Sequence, residues 1–493
     1  MVMLISLNSL AQWNGEWIES GQMKLRINAD GQLATYNNRA ASEMRSGSNN
    51  HLFKFINIWI SGYYKDTQLR ITSVNGYNYK SDYSPGPLNT FSYIAAEPNE
   101  WNFVWHVSSE EINDHRSNYR NNGYEVADAI KNWPANGPEG YHKHLAPFID
   151  YDKNGIYEPI KGDYPDIIGH KAAFFIVNDN YSEHKASGGQ PLNIELYGML
   201  YALSNIPNTV FGRYYIMNRT DKDLSDVKVS VHTGFQLGNE RDNYIGTIVP
   251  QNMIFAYNGD ENDENHFGLN KPLASVMILN KELSSSLYVT NDSNLFTGMP
   301  LKHTEHRNMM EGKWRNGAPI TFGNAGTTTG NATQYVYPGV TDPKHPSENW
   351  QENNVPGERS VLANMSYPTL LSKDFIELDL AISGVEKSEG NAYTVLQLKA
   401  LEIKNLWAKA VLNVPKIKIE ESNTLKNPIR EGENIYEDWF QNYDVIYVLN
   451  NVGQTKLMMQ PKNKIELILN EKGVYYIKFK RETTWVTKKI VVL

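Results

Sequence analysis

Short runs of alternating apolar and polar residues, broken every few positions by Gly, Asn or Pro, set the limits on what this chain can fold into. Val227-Lys228-Val229-Ser230-Val231 alternates strictly, as a strand does with one face in a core and one in water. Phe53-Lys54-Phe55-Ile56-Asn57-Ile58-Trp59-Ile60 stops at Ser61-Gly62, and Leu69 to Val74 runs into Asn75-Gly76, a tight-turn signal. Residues 172–177 and 210–217 give two more apolar strands. Helical signals are confined to two places. Ser108 with Glu111 makes a capping box, and one or two short helices are expected from there to Trp133-Pro134. Residues 392–407 form the clearest helix, with Val395, Leu398, Ile403 and Leu406 able to share a face. Residues 301–360 are rich in Gly, Asn, Thr and Pro, which predicts a long loop. The expected fold is mainly β: a large, sandwich-like body over 12–411 with a few short helices.

A length of 493 residues exceeds one ordinary domain. Val414-Pro415 and Asn427-Pro428 bracket a linker at 412–424. From residue 412 onward the net charge is +3, against −11 for the rest. That step supports a separate domain over 425–493. Its short strands are expected near 444–449, 465–469, 474–479 and 485–493.

Composition removes several functions. The absence of cysteine excludes disulfides, zinc-thiolate sites and thiol nucleophiles. A net charge of −8 argues against a nucleic-acid surface. No apolar run reaches the roughly 18 residues of a spanning helix. Met1 to Ala11 is apolar and ends in a small residue, which reads as a signal peptide lacking its basic leader, or as a buried first strand.

The most informative stretch is Asp150-Tyr151-Asp152-Lys153-Asn154-Gly155-Ile156-Tyr157-Glu158, closely followed by Gly162-Asp163. Oxygen-bearing side chains alternate at 150, 152 and 154, and glycine follows at the sixth position. That is the first half of a calcium loop, with the Ile156 carbonyl at the seventh position. The twelfth position, which should be a bidentate Glu, is Lys161. Asp163 is the nearest carboxylate that can close the shell. The expected ligand set for calcium is therefore Asp150, Asp152, Asn154, Ile156 and Asp163. A metal-free turn rich in Asp and Asn is the alternative. The acidic run 258–264 offers a weaker second cation site or a solvated loop.

Catalytic motifs are scarce. There is no Gly-x-Ser-x-Gly elbow and no phosphate or dinucleotide loop. The pairs His142/His144 and His303/His306 have transition-metal spacing but lack a third ligand. Trp101, Trp105, Trp133, Trp314 and Trp350 can stack on sugars or belong to the core.

The tail carries Gly453, Gln454, Gly473, Tyr475, Lys488, Lys489 and Leu493 in a pattern that resembles the C-terminal sorting domain of the type IX secretion system of Bacteroidetes. Asn427-Pro428 stands where that family has Pro-Asn-Pro. The resemblance implies a small immunoglobulin-like β-sandwich read by the secretion machinery, and cargo left at the cell surface or in the medium. The body is similar to large surface proteins that carry such tails. Residues 145–152, 154–159, 162–167, 177–179, 257–260, 314–319 and 356–359 carry that likeness, while 235–250, with Gln236 and Thr247, depart from it. Two functional classes follow. One is a secreted or cell-surface, calcium-stabilised structural or interaction protein with a glycan or protein partner. The other is a secreted glycan-active hydrolase whose carboxylate pair the sequence does not single out.

Overall fold

A computed structural model describes residues 13–260, 262–263, 266–386, 391–412, 429–435, 440, 445–450, 455–459, 467–481 and 484–493. The expected signal peptide, residues 413–424 of the linker, Asn427-Pro428, Gly453 and Gln454 lie outside these, as does the side chain of Lys489. The chain divides into two compact units, 1–414 and 415–493.

The first unit is mainly β, built on antiparallel sheets. Its large, nine-stranded sheet runs in the order Ser84–Pro85, Lys171–Asn178, Ile194–Ala202, Thr209–Asn218, Phe375–Glu386, Pro272–Ile278, Met253–Asn258, Asn243–Ile248. Trp105–Ser108 also pairs with Lys171–Asn178. A five-stranded sheet follows the order Ser285–Val289, Ser360–Leu370, Leu224–Phe235, Phe53–Tyr64, Gln68–Thr72. Alternation along the large sheet explains the layering. Ala173, Phe175 and Val177 share a core with Ile56, Ile58, Ile60, Val229 and Val231 of the second sheet. Their neighbours Ala172, Phe174 and Ile176 share another core with Ile112, Trp133, Leu396 and Ile403. Strand pleating therefore sends successive residues into two different cores.

Several expectations need correction. Ser61-Gly62 is not a turn: the strand continues to Tyr64, and Lys65 and Asp66, both with positive φ, make the reversal. Val227–Val231 belongs to the central strand and is buried except at Lys228, which is half-buried; Ser230 Oγ sits 2.6 Å from Asn364 Oδ1. The long helix spans Ala392–Leu412, but Leu398 is 66% exposed. The buried stripe is Leu396, Ala400 and Ile403, and Leu398 lies about 200° around the helix from Leu396. Residues 301–360 are not only loop. They hold a helix, His303–Met310, and bury Trp314, Val336 and Tyr337 completely. The expected capping box is present: Glu111 N–H donates to Ser108 Oγ at 3.2 Å and Ser108 N–H to Glu111 Oε2 at 2.8 Å, opening helix Ser109–Asn118.

The second unit contains a four-stranded antiparallel sheet in the order Thr455–Met459, Val445–Asn450, Gly473–Arg481, Thr484–Val492. Ile429, Ile435, Leu467 and Leu469 share one core with Ile446, Val448, Ile477 and Phe479 of that sheet. Single bridges, Ile429 to Val492 and Asn434 to Ile468, tie these segments in. Among the described residues, the expected strand at 465–469 is reduced to the bridge at Ile468.

Candidate metal centre

The 150–163 loop is clamped at its base by two short strands, Phe148–Ile149 and Tyr164–Pro165. Asp150 leaves the clamp and Asp163 enters it, so the register alone brings the two ends of the loop together. Between them, Lys153 and Gly155 adopt positive φ of 58° and 75°. A 3₁₀ turn, Pro159–Lys161, then leads into Gly162 at φ 107°. A Cβ on Gly162 would meet the Tyr119 ring at 2.8 Å, so both backbone and space require glycine there. This turn explains why the closing carboxylate is displaced by two residues from the usual twelfth position.

Ligand atoms of Asp150, Asp152 and Asp163 lie within 4.8 Å of one another. Each carboxylate is oriented by the loop. Asp150 accepts the Gly155 N–H at 2.7 Å and the Asn154 N–H at 3.2 Å. Asp152 accepts the Asn154 side-chain amide at 3.0 Å. Asp163 is fully buried and accepts the N–H groups of Tyr151 at 2.8 Å and Glu158 at 2.7 Å. Asn154 and Ile156 stand beside the three and bond each other, Ile156 N–H donating to Asn154 Oδ1 at 2.8 Å. Glu158 stands at the ninth loop position; its Oε2 accepts from Asn154 Nδ2 at 2.7 Å and Lys161 Nζ at 2.6 Å.

Burial pushes the Asp163 carboxyl above its ordinary value, and the charges of Asp150 and Asp152 add to the rise, against the two backbone hydrogen bonds. The ammonium of Lys161 holds Glu158 below the ordinary glutamate value. The cluster thus gathers hard oxygen donors with more negative charge than the nearby lysine balances. That donor chemistry fits a hard divalent cation.

Behind the loop the attachment to the body is dense. Tyr157 donates its hydroxyl to Ile130 O at 2.7 Å, and its N–H to Asn136 Oδ1 at 2.9 Å. Trp133 Nε1 donates to Pro147 O at 2.9 Å, and the Trp133 ring packs 5.6 Å from Phe174 of the large sheet.

The other candidates resolve as packing. His306 is on a helix, not in a polar loop: Nδ1–H donates to Lys302 O at 3.0 Å, Nε2 accepts from Ser73 Oγ at 3.3 Å, and the Trp59 ring is 4.8 Å away. Burial lowers its pKa to about 4. His142 is half-buried, its pKa lowered by the same cause, and His144 packs on Phe148 at 5.6 Å. In the 258–264 run Asp263 is buried and accepts the Asn239 and Phe267 N–H groups at 3.2 and 3.1 Å. Among the described residues no second acidic cluster of metal-binding geometry accompanies it. Trp133, Trp314 and Trp350 are core residues, while Trp101 and Trp105 are half-buried and pack on each other at 6.1 Å.

No helix among the described residues is long and apolar enough to cross a membrane. No known protein family matches the sequence, and no curated protein does. Among solved structures, a polysaccharide lyase superposes over 89% of this chain at a TM-score of 0.21 and 8% identity. The chain spans 46% of that protein's length, and so slight a likeness carries no argument for fold or chemistry.

Proposed function

We propose that this is a secreted or cell-surface structural or interaction protein, stapled by calcium at the 150–163 loop and exported by the type IX secretion machinery through residues 425–493. The observation that carries the calcium reading is the convergence of Asp150, Asp152 and Asp163 within 4.8 Å. These three carboxylates, with the Asn154 side-chain oxygen and the Ile156 carbonyl, would hold the ion. Calcium there neutralises the mutual repulsion of the carboxylates and locks a loop that is bonded to the core. The export reading is supported by the tail residues Gly473, Tyr475, Lys488 and Leu493 and by the compact second unit.

Calcium that binds only the folded state stabilises it by about 2.7 kcal/mol at a hundredfold excess over Kd. EDTA should lower the melting temperature, and Asp152→Ala should abolish that response. Affinity should sit at roughly 10⁻⁴–10⁻³ M, as for extracellular modules. Identical melting in EDTA and in millimolar calcium would leave a metal-free turn as the better account.

A further inference from the structure

Two exposed aromatic residues of the N-terminal hairpins each stand opposite an arginine. Trp17 pairs with Arg26 across strands Gly15–Ser20 and Met23–Asn28, and Tyr36 pairs with Arg39 across the hairpin Thr35–Tyr36 to Arg39–Ala40. The rings are not core residues turned outward by accident. On the same strands Ile18, Met23 and Leu25 point inward and are buried, whereas Trp17 is 38% and Tyr36 39% exposed. The Arg26 guanidinium carbon lies 4.4 Å from the Tyr36 ring centre and 5.9 Å from that of Trp17. One cation therefore bridges the two rings.

Tyr36 divides two surface grooves. One, of about 470 Å³, is lined by Trp17, Tyr36, Asn37, Arg39, Glu43 and Asn49 among others. The other, of about 450 Å³, is lined by Trp13, Glu16, Arg26, Tyr36 and Phe103 among others. Together they make a track wider than a single small ligand. Lys24 is engaged by Glu43 at 3.1 Å. Arg26 and Arg39 form no ion pair among the described residues, and Glu16 acts on Arg26 only from a distance.

We propose that this track binds a segment of acidic polysaccharide, one whose sugars carry single carboxylates. The exposed parts of the two rings, beside the cations that lie over them, match the apolar face of a pyranose ring. Asn37 and Asn49 supply amide donors and acceptors for hydroxyls. The two guanidinium groups suit carboxylates, which they bind in paired hydrogen bonds. Glu16 and Glu43 in the walls, on a chain of net charge −8, oppose a dense polyanion such as nucleic acid. The inference rests on reading the body as an interaction protein and names its partner class; it does not depend on calcium.

The test is calorimetric titration of the full chain with oligogalacturonate, oligoalginate and neutral cello-oligosaccharide, each in EDTA and again in calcium. At least one acidic oligosaccharide should bind about tenfold or more tighter than the neutral one, the difference a charge-assisted pair supplies. Trp17→Ala and Arg39→Gln should each weaken that binding by roughly tenfold with cooperative melting unchanged. Binding that persists in EDTA supports this site even where the calcium staple fails. Acidic oligosaccharides bound no tighter than the neutral one would overturn the proposal, as would wild-type affinity in both folded variants.

Discussion

Lys161 turns its ammonium onto Glu158, Nζ to Oε2 at 2.6 Å, and stays 3.9 Å from Asp152 Oδ2. The lysine that replaces the usual closing glutamate therefore competes for the charge a bound cation would use. Lys161 is exposed and Glu158 half-buried, so solvent partly screens the pair and its effect on affinity is modest. Lys161→Gln should tighten calcium binding roughly two- to fivefold. Calorimetry at low ionic strength measures this, and an unchanged or weaker Kd would place the lysine outside the ion's influence.

Phe55 is wedged between two glycines. A Cβ on Gly76 would lie 2.4 Å from its ring and one on Gly234 2.5 Å. The ring also meets Tyr77 and His232 edge-on, at 5.3 and 4.9 Å, so it has little room to yield. Gly76→Ala should cost about 1–3 kcal/mol by overpacking. The double change with Gly234→Ala should cost more than the sum, because a ring held between the two sites cannot move off one without meeting the other. Urea unfolding of the three variants decides it; full additivity would mean that the two sites do not share the ring.

Asp30 predicts a pH dependence of definite sign. It is 2% exposed, and burial raises its pKa to about 6, against hydrogen bonds from Gln32 at 2.7 and 3.2 Å. A carboxyl whose folded pKa is raised contributes stability below its unfolded value, near 3.9, and loses it as pH rises through about 6. The cost of the ionised form approaches about 3 kcal/mol. Asp30→Asn carries no charge, and its amide can serve Gln32 Oε1, a buried atom with no partner. Relative to wild type, the variant should gain stability by about that amount between pH 3.5 and pH 7.5. A difference that stays flat across this range would show that Asp30 titrates alike in the folded and unfolded chain.

The tail should be dispensable for folding. The chain divides at residue 414, and each unit has its own buried core. Removing 415–493 should leave the melting of the body intact. In a host with type IX secretion, the truncated protein should stay in the periplasm. Normal amounts of it at the cell surface would remove the sorting role.

Much of this architecture is legible in local sequence, and the exceptions share a cause. The capping box at Ser108 and Glu111 and the three aspartates are short-range patterns, so adjacent residues reveal them. The helix at 303–310 is hidden because half of its buried face, His306 and Arg307 beside Met309 and Met310, is polar, and because it is set among loop-forming residues. Why the loop closes at residue 163 is invisible to the motif, since only the 3₁₀ turn and Gly162 show it. Trp17 and Tyr36 go unnoticed because each lies in an ordinary strand pattern. Their arginines come from the opposite strand of each hairpin, and pairing register is a tertiary fact.

The large sheet buries all nine residues of Ile194–Ala202, feeding alternate side chains to two cores. A slip of one residue in such a strand would not expose oil to water; it would exchange one apolar compartment for another. Solvent contrast, the usual guardian of strand alignment, is silent here. What remains is the buried ion pair of Glu195 with Arg219, and a lock of shape. Gly198 leaves a notch that Phe175 fills from the paired strand, where a Cβ would stand 2.3 Å from the ring. Gly212, on the next strand, does the same for Leu200 and Tyr214, with a Cβ at 3.0 and 2.9 Å. Alignment at the centre of this protein is thus kept by missing side chains, and the tolerance of the sheet to mutation should be lowest where it has least to lose.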